Sequence, residues 1–327
     1  VHQWGFPYLK LDFLYAGCLP GNYYDSTRTR AQVFDQAMHL IRETAGEDTF
    51  LLGCGSPIGG SIGHVDGMRI GTDVAPEWKP KYKGIELLFP NEPNIPSVAN
   101  SLQNTLSRAW LHNSWWLNDP DCLILRSTSH LSEDEVKTQA SLTALSGGML
   151  LISDNLSQVP PERLKIAKVL IPVIGRKPQV MDWHEKVTPS KLRVDLNGAA
   201  GVWHLLSFTN WSDKQVMPEF NLIDYRLDPD STWMCSRFWM SEVSLIIDGK
   251  IMAGPLEPHA TWIAAVRKCT VDSPQYIGST LHISQGLEVS GWSMNDHQIT
   301  LNFHLPRKAD GLFNIYIPAS EVQVVDD

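Results

Sequence analysis

The chain has 327 residues, 43% of them hydrophobic and 19% charged, which is enough apolar material for one large or two medium domains. Its formal net charge of -9 argues against a nucleic-acid partner, because such binding needs a basic footprint to displace counterions. No apolar run approaches the roughly 20 residues of a membrane-spanning helix, so no membrane partner is expected.

Residues 6–14 read as a first strand, with Lys10 and Asp12 on one side of it by simple alternation. Residues 27–45 follow as a helix, with Ser26 or Thr27 as its cap and Val33, Ala37, Leu40 and Ile41 at helical spacing. Residues 49–54 and 67–71 are further buried strands, and residues 96–112 a helix with Val98, Leu102, Leu106 and Ala109 on one face. A strand at 114–117 leads into Asn118-Asp119-Pro120-Asp121, which reads as turn chemistry. The helix at 132–145 opens with a capping box between Ser132 and Glu135. A fifth strand at 148–153 and a helix at 161–170 complete this half. Apolar strands separated by helices imply a parallel sheet covered by helices.

Beyond about residue 183 the pattern changes to short β-branched and aromatic runs, at 201–208, 242–247, 261–266, 298–303 and 311–317. Turn signals such as Asp248-Gly249 and Asp310-Gly311 separate them, and together they predict an antiparallel sandwich. No internal repeat or low-complexity stretch interrupts the chain.

Two carboxylates stand out. Asp12 and Asp73 each follow a short apolar run, with Lys10 two residues before one and Arg69 four before the other. Carboxylates that converge at strand ends suit glycosidic hydrolysis, in which one is ionised and the other protonated. Asp66 is the rival acid, but it starts its strand, and barrel chemistry sits at strand ends. Taken alone, a Lys-x-Asp on a strand is more often a surface ion pair.

Five cysteines without paired spacing indicate neither a disulfide framework nor a zinc site, and weakly favour a reducing compartment; localisation is otherwise open. Two sequons, at Asn155 and Asn210, matter only in a secretory setting. His2 and His64 have no partner at ligand spacing, so no metal is assigned and no cofactor is expected. Of the twelve tryptophans, Trp4 and Trp78 adjoin the motifs and are the candidates for sugar stacking.

The segments Lys10-Leu11-Asp12-Phe13, Cys54-Gly55-Ser56-Pro57, Arg69-Ile70-Gly71-Thr72-Asp73, Asn118-Asp119-Pro120-Asp121 and Ser153-Asp154-Asn155-Leu156 come in an order that resembles the α-galactosidase clan. Within it the chain is most similar to the melibiase-type enzymes of glycoside hydrolase family 36, with kinship to family 27. Family 27 places a glutamate beside the cysteine where this chain has Gly55, which favours family 36 and leaves the preference at the sugar C2 substituent open.

The resemblance implies an α/β plus all-β fold: a (β/α)8 TIM-barrel portion over residues 1–182, followed by an antiparallel β-sandwich over 183–327. It implies retaining hydrolysis of terminal α-linked galactose from oligosaccharides. Asp12 would be the nucleophile at the end of the fourth barrel strand, and Asp73 the acid/base at the end of the sixth. Lys10, Arg69 and Cys54 would line the sugar site, with Gly55 and Ser56 near C2. Arg69 is expected to point at a sugar hydroxyl rather than pair tightly with Asp73. The five strands counted here would be strands four to eight, so an upstream segment of the same protein is expected to supply the first three, and residues 1–327 alone to show little activity. The alternatives are an α-N-acetylgalactosaminidase, an α-glucosidase or a galactosyl transferase on the same scaffold, or a non-catalytic fragment. A class I aldolase using Lys10 would leave Arg69 and Asp73 idle. Homo-oligomerisation stays open.

Overall fold

A computed structural model describes residues 3–81, 92–295 and 298–318; His2 lies outside them. The strands are β1 (Tyr8–Leu11), β2 (Phe50–Gly53), β3 (Gly67–Arg69), β4 (Leu117–Asp119), β5 (Cys122–Leu123), β6 (Leu151–Ile152), β7 (Gln179–Val180), β8 (Lys191–Gly198), β9 (Gly201–Thr209), β10 (Glu219–Asn221), β11 (Trp233–Arg237), β12 (Glu242–Ile246), β13 (Lys250–Met252), β14 (Thr261–Lys268), β15 (Gln275–Ser279), β16 (Val289–Met294), β17 (Ile299–Phe303) and β18 (Phe313–Tyr316). Four helices accompany them: α1 (Arg30–Ala45), α2 (Val98–Ser107), α3 (Glu133–Leu145) and α4 (Pro161–Lys168).

β1 to β4 form one parallel sheet in sequence order. β5 continues the path of β4 after a break at Pro120 and Asp121, and pairs in parallel with β6. The Met149 amide donates to the Asn118 carbonyl at 2.9 Å, so the segment entering β6 lies along β4. Five parallel strand positions therefore run side by side, as the sequence suggests, and the described residues do not close them into a barrel.

The register assigns the two faces. Residues paired across parallel strands point the same way, so Tyr8, Lys10, Phe50, Leu52, Gly67, Arg69, Leu117 and Asp119 share one face. Leu9, Leu11, Leu51 and Met68 occupy the other, where they pack with Phe34 and Met38 of α1. The helix begins later than expected. Asp25 accepts the Thr27 amide and hydroxyl, which spends Thr27 on a local turn, and Thr29 forms a capping box with Gln32 instead. α2 starts at Val98 because Ser97 caps it. The Ser132–Glu135 capping box of α3 stands as read from the sequence.

The fourth strand is displaced from its expected place at 114–117 to Leu117–Asp119. Asn118 and Asp119 read as turn formers because their side chains compete for backbone donors. Here both are fully buried and their side chains are satisfied within the core, so they can extend a strand. The turn comes two residues later, at Asp121, in the left-handed region with φ 73°.

The second half is built on a six-stranded sheet in the order β12-β11-β14-β9-β8-β7, antiparallel throughout. Two-stranded sheets β10–β13, β15–β18 and β16–β17 accompany it. β7 shows that antiparallel pairing already starts at Gln179, ahead of the expected change at 183. Both faces of its central strands β9, β11 and β14 are largely buried. Trp203, Leu205, Ile263 and Ala265 join the core of α2, α3 and α4, whereas Leu206, Cys235, Ala264 and Val266 pack beneath β10 and β13. One apolar core thus runs from the helices of the first half into the sheet of the second.

At the end of α3 the chain reverses at Gly147, with φ 73°, and a Cβ there would meet the Arg176 carbonyl oxygen at 2.2 Å. Gly147→Ala combines an unfavourable dihedral with a backbone collision, and is expected to destabilise the protein by more than about 1 kcal/mol, read as a lowered urea midpoint at unchanged m-value.

Candidate active site

Every side chain of the site lies at or just beyond the C-terminal end of a parallel strand. Asp12 follows β1, Cys54 follows β2, Arg69 ends β3 and Asp119 ends β4. The strand ends are laced together: the Cys54 amide donates to the Leu11 carbonyl at 2.8 Å, and the Tyr15 amide to the Gly55 carbonyl at 2.7 Å. Gly55 sits at φ 52° against the backbone of Phe13, the left-handed conformation that a glycine adopts without penalty. Phe13 itself has φ 54°, which turns the chain sharply behind Asp12.

Asp12 is exposed, and its Oδ1 accepts the Phe13 amide at 2.8 Å. A hydrogen bond from the Cys54 thiol holds its carboxyl below the usual carboxylate range, opposed by slight burial and helped by the Phe13 amide and the Lys10 charge. The thiol itself is pushed up to about 11, by burial first and by its bond to Asp12 second. Lys10 is exposed on the same strand face as Asp12. Asp12 is therefore an anion at neutral pH, with a neutral thiol as donor.

Arg69 is buried, and three carboxylates take up its fork. Nε donates to Asp119 at 3.1 Å, Nη1 to Asp73 at 3.0 Å, and Nη2 to Asp121 at 2.9 Å. Burial alone would make the guanidinium easier to deprotonate, but Asp119 and Asp121 outweigh it and the net shift is upward. The expectation that Arg69 turns to a sugar hydroxyl and leaves Asp73 unpaired is corrected here. Asp119 and Asp121 fix the plane of the guanidinium, and Asp73, four residues on, falls onto Nη1. Of the five N–H groups of the fork, three are engaged in these pairs.

Asp121 does more than neutralise Arg69. Its Oδ2 accepts the Val74 amide at 2.8 Å, which fastens the residue after Asp73 to the sheet. Asp119 accepts the Asp121 amide at 2.8 Å, so the two acids also order each other. Composition hides this, because Asn-Asp-Pro-Asp is ordinary turn chemistry. The available signal was that two acids end a strand next to one whose last residue is arginine. The Asp73 carboxylate remains largely exposed.

Asp66 is structural. It accepts Arg42 at 2.6 Å and the Leu51 amide at 2.8 Å, at the opposite end of β3 from Arg69. The Ser56 hydroxyl shares a 2.5 Å hydrogen bond with that of Ser61, within its own loop. Trp78 is corrected as a sugar platform: only 6% of it is exposed, and its ring stacks on His259 and Trp211. Trp4 is 79% exposed with an edge contact to Phe6, and it precedes β1, whereas Asp12 follows that strand. Among the described residues no group of three or more histidine, cysteine or acidic side chains is arranged to hold a metal ion, and no helix is long and apolar enough to cross a membrane.

No protein-family profile matches the chain. Among solved structures it is similar to an α-galactosidase from Thermus thermophilus in complex with p-nitrophenyl α-D-galactopyranoside, at 34% identity over 59% of this chain and a TM-score of 0.46. This chain spans 36% of the length of that protein. The α-galactosidase I of Mortierella vinacea matches over 82% of this chain and 69% of its own, at 13% identity and a TM-score of 0.60. A β-L-arabinopyranosidase from Geobacillus stearothermophilus matches over 82% of this chain and 59% of its own, at 14% identity and a TM-score of 0.54. The last two likenesses establish a shared fold: parallel strands with helices, followed by an antiparallel β part.

Two outcomes follow from the site itself. Arg69→Met would leave the Asp119 and Asp121 carboxylates buried without a counterion, and is expected to cost about 3–5 kcal/mol in a denaturant titration. Cys54→Ala removes the donor that lowers Asp12, so the Asp12 midpoint followed by NMR should rise towards about 3.9. Because the folded value is depressed, the associated stability is present above the unfolded midpoint and is lost as pH falls through the folded one. The substitution should therefore shrink the acid-side loss of stability below about pH 4.

Proposed function

We propose that the chain carries the nucleophile and the acid/base of a retaining glycoside hydrolase that releases terminal α-linked galactose from oligosaccharides. The observation that carries this reading is the gathering of Asp12, Cys54, Arg69 and Asp73 at the C-terminal ends of three adjacent parallel strands, with both aspartates exposed. Catalytic groups of parallel barrels collect at that end. The fold shared with α-galactosidases supports the substrate class, and the parallel strands are read as part of a TIM barrel over residues 1–182, with the antiparallel part as the domain beyond.

In the first step an Asp12 oxygen attacks the anomeric carbon and forms a glycosyl ester, while a proton on Asp73 passes to the departing glycosidic oxygen. In the second, Asp73 takes a proton from water as the water oxygen displaces Asp12, and the sugar leaves with its anomeric configuration retained. Arg69 holds Oδ1 of Asp73, so Oδ2 is the oxygen that carries the travelling proton. The bonds from Cys54 and Phe13 keep Asp12 ionised and poised to attack. Lys10, exposed on the same strand face as Asp12, is the donor for sugar hydroxyls. Gly55, which has no side chain, leaves room near C2, so α-N-acetylgalactosaminides belong beside α-galactosides and α-glucosides in any test.

A second reading, a non-catalytic piece of such an enzyme, is favoured by one observation. The sheet face bearing the site also carries Tyr8 and Leu117, which are about two-fifths exposed, where a closed barrel would bury them. A panel of nitrophenyl α- and β-glycosides separates the readings. Turnover of α-galactosides is expected to vanish in Asp12→Asn and to return in part with azide, which attacks from the vacated side. In Asp73→Asn, substrates with poor leaving groups should lose far more rate than activated aryl glycosides, which need little proton assistance. Near-normal rates in both variants would overturn the assignment.

A further inference from the structure

The segment that follows Asp73 has no regular secondary structure up to residue 81, yet it is held at almost every step. The Val74 amide donates to Asp121, and the Pro76, Glu77 and Trp78 carbonyls accept the amides of His130, Val98 and Ala99 at 2.9 to 3.0 Å. These bonds tie it to the parallel half. Its far end is tied to the other half. The Trp78 ring is stacked on the His259 imidazole, with centroids 4.6 Å apart and planes at 17°, and on Trp211 at 5.9 Å and 28°. Lys79 Nζ reaches both oxygens of Asp213 at 2.6 and 2.7 Å.

The receiving side is itself braced. The two ring nitrogens of His259 lie 2.7 Å from Glu135 of α3 and 3.0 Å from Asp213, and the His259 carbonyl accepts the Thr138 hydroxyl at 2.6 Å. His259 has φ 63°, in the left-handed region, which costs a non-glycine residue about a kilocalorie or more and persists only where the surroundings impose it. Trp211 is pinned by its indole N–H to the Pro189 carbonyl at 2.8 Å. The Lys79–Asp213 pair is exposed and contributes little by itself. The buried stack on His259 carries the hold, and the ion pair steers the end of the segment into it.

We propose that Trp211, Asp213 and His259 of the antiparallel half are positioning residues: through Trp78 and Lys79 they clamp the segment that carries Asp73, and so fix where its carboxyl meets the leaving oxygen. This rests on the hydrolase reading for the role of Asp73. Without the clamp, Asp73 keeps its bond to Arg69 but its backbone is anchored on one side only. Misplacing an acid by an ångström harms the step that needs its proton and spares the step that does not.

The test uses the full chain with His259→Asn, in which asparagine tolerates the left-handed backbone but cannot stack as an imidazole, and the milder surface variant Asp213→Asn. Hydrogen exchange reports the amides of residues 74–79, and kcat/KM is measured on an aryl α-galactoside with an activated leaving group and on an alkyl or oligosaccharide one without. The expected result in His259→Asn is faster exchange over 74–79, a loss of about 10-fold or more on the poor leaving group and less than about 3-fold on the activated one, with smaller changes of the same sign in Asp213→Asn that Asp213→Glu reverses. Equal losses on both substrates, or unchanged exchange over 74–79 in both variants, would overturn the clamp while leaving the hydrolase reading intact. Absence of turnover in the unsubstituted chain would instead favour the reading as a non-catalytic piece and remove the role given to Asp73 here, while exchange over 74–79 would still decide whether the clamp exists.

Discussion

A single buried guanidinium organises the parallel half. Arg69 ends β3 facing the last residue of β4, and the register pairs it with Asp119. Removing two acids and an arginine from water is expensive, and the cost is offset only when nearly every donor and acceptor finds a partner. That requirement dictates the neighbourhood. Asp121 must turn back through a left-handed φ to bring its carboxylate to Nη2, its other oxygen then captures the Val74 amide, and Asp73 is delivered beside Nη1. The position of a largely exposed acid is thus set by the satisfaction of a fully buried one.

Asp12 is placed by a lighter arrangement on the same face. Alternation along β1 aims Leu9 and Leu11 into the α1 core and leaves Lys10 and Asp12 on the side of Cys54 and Arg69. A one-residue slip of β1 would bury both charges against Phe34 and Met38, so the apolar contacts of α1 hold the register on which the site depends. Asp12 and Asp73 consequently stand in different surroundings: one accepts a thiol and an amide, the other a guanidinium.

The parts of this arrangement legible in the sequence were those governed by local rules. The Ser132–Glu135 capping box, the alternation that puts Lys10 with Asp12, and the starts of β3 and β12 follow from periodicity and cap chemistry. Apart from the local Asp25 turn, the misreadings have causes elsewhere in the chain. Thr27 lost its role as a cap to an Asp25 turn, and Asn118 and Asp119 became strand because partners far along the chain, Arg108 and Arg69, satisfy their side chains. The fate of Trp78 was decided by His259, and proximity to a motif in sequence could not reveal a partner 181 positions away. Arg69 lies between these cases: its closeness to Asp73 was visible at i, i+4, but not the two acids that prevent it from turning elsewhere.

The largest departure from a two-part reading is the continuity of the core. Alternation along β9 and β14 sends Leu205, Ile263 and Ala265 towards α2, α3 and α4, and Leu206, Ala264 and Val266 to the opposite side. A sheet whose central strands are buried on both faces cannot slide on the helices without exposing Trp203 and Leu205, both wholly inaccessible. Burying apolar surface contributes about 25 cal/mol per Å2, so even a small separation of the halves would cost more than the exposed ion pairs between them return. The antiparallel sheet is therefore a rigid wall for the helices behind the parallel strands. A segment leaving the strand ends and stacking on that wall, as Trp78 does, inherits its rigidity, which a surface loop of the same composition would lack.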